Sequence, residues 1–180
     1  CPMCLEHIED QMTLPCHHVF CRVCVDALFV RHATAGDYLS RCPMCRAPLM
    51  GRADAHFTDG MDLLESFEYE DDLEAAVTEF EACIAAVQPY ATGPGGLNRM
   101  AAAAQYNIGR CYEVVSAVSD AARAYEKAFE LSHETDSTAA CNLGAMLCRL
   151  GQSSQALTWF ARASELDPFD PLARANLAIT

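Results

Sequence analysis

Three stretches decide how the first part of this chain folds: Cys1-Pro2-Met3-Cys4, then Leu14-Pro15-Cys16-His17-His18-Val19-Phe20-Cys21-Arg22-Val23-Cys24, and Cys42-Pro43-Met44-Cys45-Arg46. Zinc prefers four tetrahedral ligands drawn from thiolate sulfur and imidazole nitrogen. Two cysteines separated by two residues can reach one ion, because the chain turns between them. Cys1–Cys4, Cys21–Cys24 and Cys42–Cys45 are such pairs, and Cys16–His18 is a fourth with one residue between. Eight ligands suit two closed structural Zn2+ sites with no open position. Spacing alone leaves sequential and interleaved pairing equally open. Adjacent His17 and His18 compete for one ligand place; His18 keeps the C-x-H-x-x-C spacing and is the expected ligand. His7, His32, His56 and His133 lack partners at metal spacing and read as ordinary histidines.

Outward from these stretches, seven of the eleven cysteines fall in the first 45 residues. Cys83, Cys111, Cys141 and Cys148 are scattered without ligand spacing and read as small core hydrophobes. Paired C-x-x-C spacings with a histidine indicate metal in a reducing compartment, so an intracellular location, cytoplasmic or nuclear, is expected. No signal peptide, transit peptide or membrane-spanning run is visible, and no membrane partner is expected. A chain that opens at Cys1 and stops at Thr180 inside a helical pattern is expected to be a segment of a longer protein.

The formal net charge is -13, and it is unevenly placed. Residues 1–50 hold five acids and four arginines, so the rest holds twenty acids against eight bases. Such a surface repels phosphate backbones, and nucleic-acid binding is not expected. A zinc hydrolase is disfavoured too, because eight protein ligands leave no place for water.

The run CPMC…LPCHHVFCRVC…CPMCR resembles a RING domain of the three-cysteine, one-histidine, four-cysteine type, over residues 1–50. The Cys24-to-Cys42 interval is similar to that of the tripartite-motif group. The resemblance implies interleaved pairing: Cys1, Cys4, Cys21 and Cys24 on one ion, and Cys16, His18, Cys42 and Cys45 on the other. It implies a small zinc-stabilised α+β domain that binds a ubiquitin-charged conjugating enzyme through a shallow apolar groove. The matching groove positions are Met3, Leu28 and Pro43, with Leu28 on a short helix within VCVDALFVRH. Arg46, directly after the last ligand, matches an arginine that bridges the conjugating enzyme and ubiquitin. The family often has glycine where this chain has His17.

The second half is alanine-rich and repeats itself. NIGRCY (Asn107–Tyr112) matches NLGAML (Asn142–Leu147), and AARAYEKAFEL (Ala121–Leu131) matches ALTWFARASEL (Ala156–Leu166), each at an offset of 35 residues. Small residues stand where two antiparallel helices would cross: Gly109 with Ala121, and Gly144 with Ala156. Tyr112, Tyr125 and Phe160 would fill the gaps between neighbours, and Pro168 would end a helix. The pattern resembles the tetratricopeptide repeat, and implies an all-α helical solenoid over residues 57–180. Within it, 57–90 reads as a degenerate unit with Ala76 and Phe80 in place and Leu64 replacing the glycine. Residues 91–101 read as an insertion with a loop at its PGG core. Units 102–135 and 137–170 follow, with a partial unit at 171–180. Some family members clamp acidic peptide tails with lysine, asparagine and arginine. Asn107 and Asn142 fit, but Met61, Glu65 and Thr138 stand where bases would be needed, so such a tail is not the expected ligand.

Two functions compete. In the first, the chain is a ubiquitin-protein ligase with no covalent intermediate of its own, whose partners are a conjugating enzyme, ubiquitin, and a protein or peptide substrate on the repeats. In the second, it is a non-catalytic scaffold whose zinc serves only the fold. Arg46, Met3 and Leu28 favour the first. The chain has one lysine, Lys127, so within this segment self-modification would have that residue and the amino terminus as its only ordinary acceptors.

Overall fold

The computed structural model describes residues 1–8, 10–14, 16–25, 42–47, 51–88, 96–172 and 175–176. A small β-hairpin comes first: β1 (Gln11–Thr13) pairs antiparallel with β2 (Val19–Cys21), with Met12 opposite Phe20. Alternation along these strands turns Met12 and Phe20 inward, and both are buried together with Leu14, Val25 and Cys42. Among the described residues these belong to one buried cluster with Ala53 and Leu64 of the helical part, and the few apolar residues of the hairpin leave a large share of its stability to bound metal.

Six long helices follow among the described residues. They are α1 (Gly51–Ser66), α2 (Glu70–Val87), α3 (Gly96–Val114), α4 (Val118–Leu131), α5 (Ser137–Arg149) and α6 (Ser153–Leu166). They form three antiparallel pairs, α1/α2, α3/α4 and α5/α6, each joined by a three-residue turn. Each helix packs mainly on its neighbours in the chain, which is how a solenoid grows. Helix starts and stops follow local chemistry. Asp136 caps α5 by accepting the backbone N–H groups of Thr138 and Ala139, each at 3.0 Å. Asp72 Oδ2 accepts the N–H groups of Glu68 and Tyr69 at 3.0 and 3.1 Å, closing the first turn of α2. Gly151 turns the chain from α5 to α6 with φ at 74°.

The core of each pair is a glycine against a ring. An added Cβ at Gly109 would lie 2.7 Å from Tyr125 Cε1, and one at Gly144 would lie 2.7 Å from Phe160 Cε1. The first pair has the same contact, with Gly60 at 2.9 Å from Phe80 Cε1. This corrects the reading that Leu64 replaces the glycine. Gly60 and Phe80 are 20 residues apart, against 16 for the other two pairs, so the path from glycine to ring is four residues longer in this hairpin. Leu64 is simply buried one turn further on. Residues 96–101, read as part of an insertion, are the opening of α3, because an unbroken alanine run at 101–104 favours helix. The rest of that segment, 91–95, lies outside the described residues, as does Pro89.

Rings and polar side chains stitch the helices together, both within the α3/α4 pair and across to α5/α6. Phe129 meets Trp159 edge-on with centroids 5.1 Å apart, and Tyr106 tilts against Tyr125 at 5.4 Å. Tyr125 Oη donates to Glu113 Oε2 at 2.9 Å, and Asn142 Nδ2 donates to Tyr106 Oη at 3.0 Å. Asn107, nearly buried, donates to the Ala103 carbonyl and accepts from Arg110. Both asparagines are therefore occupied inside the fold.

Candidate metal centre

The β-hairpin explains how distant ligands meet. Its loop carries Cys16 and His18, while β2 ends on Cys21 and leads into a helical turn with Cys24. One strand thus separates ligands of two different groups. Cys1, Cys4, Cys21 and Cys24 place their sulfur atoms within 4.8 Å of one another. Cys16, His18, Cys42 and Cys45 do the same with three sulfurs and one ring nitrogen. The pairing is interleaved, which settles the alternative that spacing left open.

Individual contacts bear this out. Cys4 Sγ lies 4.0 Å from Cys21 Sγ, and the Cys21 N–H points at Cys1 Sγ at 3.5 Å. In the second group His18 Nδ1 is 3.6 Å from Cys42 Sγ. His17 is exposed with φ at 63°, in the left-handed region where glycine is easiest. That backbone carries the chain across so that His18 faces the cysteines, and it explains why the position often holds glycine in the resembling family.

The first and last ligand pairs are built alike. Leu5 N–H donates to the Cys1 carbonyl at 2.8 Å, and Arg46 N–H donates to the Cys42 carbonyl at 2.9 Å. Leu5 and Arg46 both have left-handed φ, at 63° and 61°. Such tight turns aim backbone N–H groups at sulfur. The Cys4 thiol is lowered from its ordinary pKa, chiefly by the Glu6 N–H. Burial raises the Cys42 thiol, but the N–H groups of Cys45 and Met44 outweigh it and the net shift is downward. Burial wins at Cys16 and Cys24, whose thiols are raised. Three or four soft ligands per group at tetrahedral spacing, with N–H support for thiolate, fit Zn2+ in both sites.

The scattered cysteines behave differently. Burial pushes the Cys83 thiol up to about 12 and Cys111 to about 11, and raises Cys141 as well. Neutral buried thiols of this kind pack as small hydrophobes.

Of the groove residues, Met3 is half-buried against the core, and Pro43 and Arg46 are exposed. Leu28 lies outside the described residues. Met44 is 57% exposed beside Pro43, in the second copy of the CPMC sequence. The sequence reading did not single it out, although its place between two ligands, matching Met3, was visible. In the helical half a cleft opens between the C-terminal ends of α1 and α3, lined by Leu64, Phe67, Arg110, Glu113 and Val114. Among the described residues no helix is long and apolar enough to cross a membrane.

Comparison with known proteins divides the chain the same way. Residues 1–45 match the family model for the zinc finger of C3HC4 type, the RING finger. The human E3 ubiquitin-protein ligase TRIM47 is 37% identical over 67 residues, which is 35% of this chain and 9% of that protein. Human E3 ubiquitin-protein ligase TRIM68 is 33% identical over 52 residues, covering 29% of this chain and 11% of its own length. The chain thus matches only about a tenth of these relatives. The helical region is similar to the NMR structure of the second TPR domain of human RPAP3, bound there to an HSP70 peptide. The TM-score is 0.54 with 21% identity, over 70% of this chain and 95% of that one. That likeness shows the fold of the helical part, a solenoid of the tetratricopeptide kind, which follows the RING-finger segment with its two zinc-ligand groups.

Proposed function

We propose that this chain is a RING-type ubiquitin-protein ligase. The zinc module, residues 1–50, holds a ubiquitin-charged conjugating enzyme, and the repeats, residues 57–180, hold a protein substrate or adaptor. The observation that carries the reading is the interleaved pair of four-ligand groups, in a segment similar to the RING fingers of proteins named as ubiquitin ligases. Zinc, when bound, supplies rigidity: it fixes the two ligand loops and takes no part in acyl transfer.

What this chain contributes is position and charge. Met3 and Pro43, with Leu28, would offer the apolar groove that grips the conjugating enzyme. The exposed Arg46 guanidinium can donate to two acceptors at once, so it suits a bridge between enzyme and ubiquitin. Holding the thioester in one orientation raises its reactivity toward an incoming amine without a nucleophile on this chain. The α1–α3 cleft, with exposed Phe67 and Val114 on its walls, would receive part of the substrate.

Binding tests the first step. The zinc-loaded chain is titrated against a panel of ubiquitin-conjugating enzymes by calorimetry. Saturable binding to at least one, weakened by Met3→Ala and Pro43→Ala, is expected. No binding to any member by a protein with two bound zinc ions would favour the scaffold.

A further inference from the structure

We infer that Lys127 is the acceptor through which this chain carries ubiquitin itself, an inference that rests on the ligase reading above. Eleven of the twelve basic side chains are arginines, and Lys127 is the only lysine. A guanidinium stays protonated and does not attack a thioester, so the arginines cannot serve as acceptors.

Among these 180 residues that leaves the side-chain amine of Lys127. It stands on the outer face of α4, where Arg123, Glu126 and Glu130 are also exposed, while Ala124, Tyr125, Ala128 and Phe129 are buried on the other side. Its neighbour Arg123 pairs with Asp120 instead. Among the described residues Lys127 has no hydrogen bond or ion pair.

The chemistry balances without a further reagent. The Lys127 ammonium gives one proton to solvent, and neutral Nζ attacks the thioester carbonyl carbon at the ubiquitin C-terminus. A C–N bond forms, the C–S bond breaks with its electron pair leaving on the sulfur of the conjugating enzyme, and the second proton of the attacking nitrogen passes to that thiolate. The product is one isopeptide.

The test uses the 180-residue zinc-loaded chain, a charged conjugating enzyme, and ubiquitin whose own amines are methylated, so that each adduct marks one acceptor. Discharge onto free lysine is followed in parallel. A single adduct mapped to Lys127, lost in Lys127→Arg while discharge onto free lysine is unchanged, is the expected result. An adduct that persists in Lys127→Arg, or that maps elsewhere, overturns the inference. Discharge without any adduct on the unaltered chain overturns it too, and leaves the ligase reading standing. Absence of discharge from the unaltered chain overturns the ligase reading itself.

Discussion

His18 Nδ1 and Cys42 Sγ lie 3.6 Å apart although 24 residues separate them in sequence. That contact closes the second zinc group, and the neighbouring His17 takes no part in it. His18→Ala is therefore expected to lose one of the two zinc ions and His17→Ala to keep both, measured as metal per chain by mass spectrometry. Equal loss in the two variants would mean that the ligand assignment is wrong.

Removal of metal should act first on the zinc-binding segment, even though its buried residues share one core with Ala53 and Leu64 of α1. Thiolate and neutral imidazole bind zinc, and protons compete for both. As pH falls, zinc should be released and the hairpin of β1 and β2 should lose its fold, while the helices persist. The expected record is an early loss of bound zinc with little change in helical circular dichroism. A single joint transition would contradict two separately stabilised parts.

Acid should act on the helices through Asp72. The N–H groups of Glu68 and Tyr69 hold its pKa below the ordinary carboxylate value. A depressed folded value means that the stabilisation is present at neutral pH and is lost as pH falls through it. Asp72→Ala should thus lower the melting temperature at pH 7, and the difference should shrink toward zero below about pH 4. A difference that does not change with pH would assign the effect to something other than this carboxylate.

Glycine substitutions should distinguish crowding from backbone strain. Gly144→Ala puts a methyl 2.7 Å from the Phe160 ring, and the overpacking should cost about 1–3 kcal/mol, less the helix preference of alanine. Gly151→Ala meets no atom within 4 Å, so its cost comes from the left-handed φ alone, about 1 kcal/mol. Chemical denaturation measures both. A stabilised Gly144→Ala would show that the ring can move aside.

The buried cysteines give a further check. With zinc in place and the protein folded, Cys83 and Cys111 should resist alkylation, since their thiols stay neutral and enclosed. Chelation should expose the seven zinc-binding cysteines to the reagent and still spare those two. Early labelling of Cys83 would contradict its place in the core.

Much of this architecture was legible in the residues, for physical reasons that also mark where reading stopped. Ligand spacing is a local property, so Cys1–Cys4 and its counterparts were readable directly. Which pairs share an ion is decided by the return of the chain through β1 and β2, and no spacing records that. The choice between His17 and His18 depends on a backbone angle. Gly109 and Gly144 were found because their rings follow at a constant interval. Gly60 was missed because its ring, Phe80, follows four residues later than that interval. The two walls of the α1–α3 cleft are formed by side chains 43 or more residues apart, from Phe67 to Arg110, and leave no mark along the chain.

The most direct test of the account is single-turnover discharge of ubiquitin from a charged conjugating enzyme onto free lysine, with the zinc-loaded chain and its Arg46→Ala and Cys42→Ser variants. The account predicts faster discharge than the conjugating enzyme alone, abolished by Cys42→Ser and reduced at least tenfold by Arg46→Ala, which is about 1.4 kcal/mol of lost transition-state stabilisation. No acceleration with any conjugating enzyme, or acceleration that survives both substitutions, would contradict it.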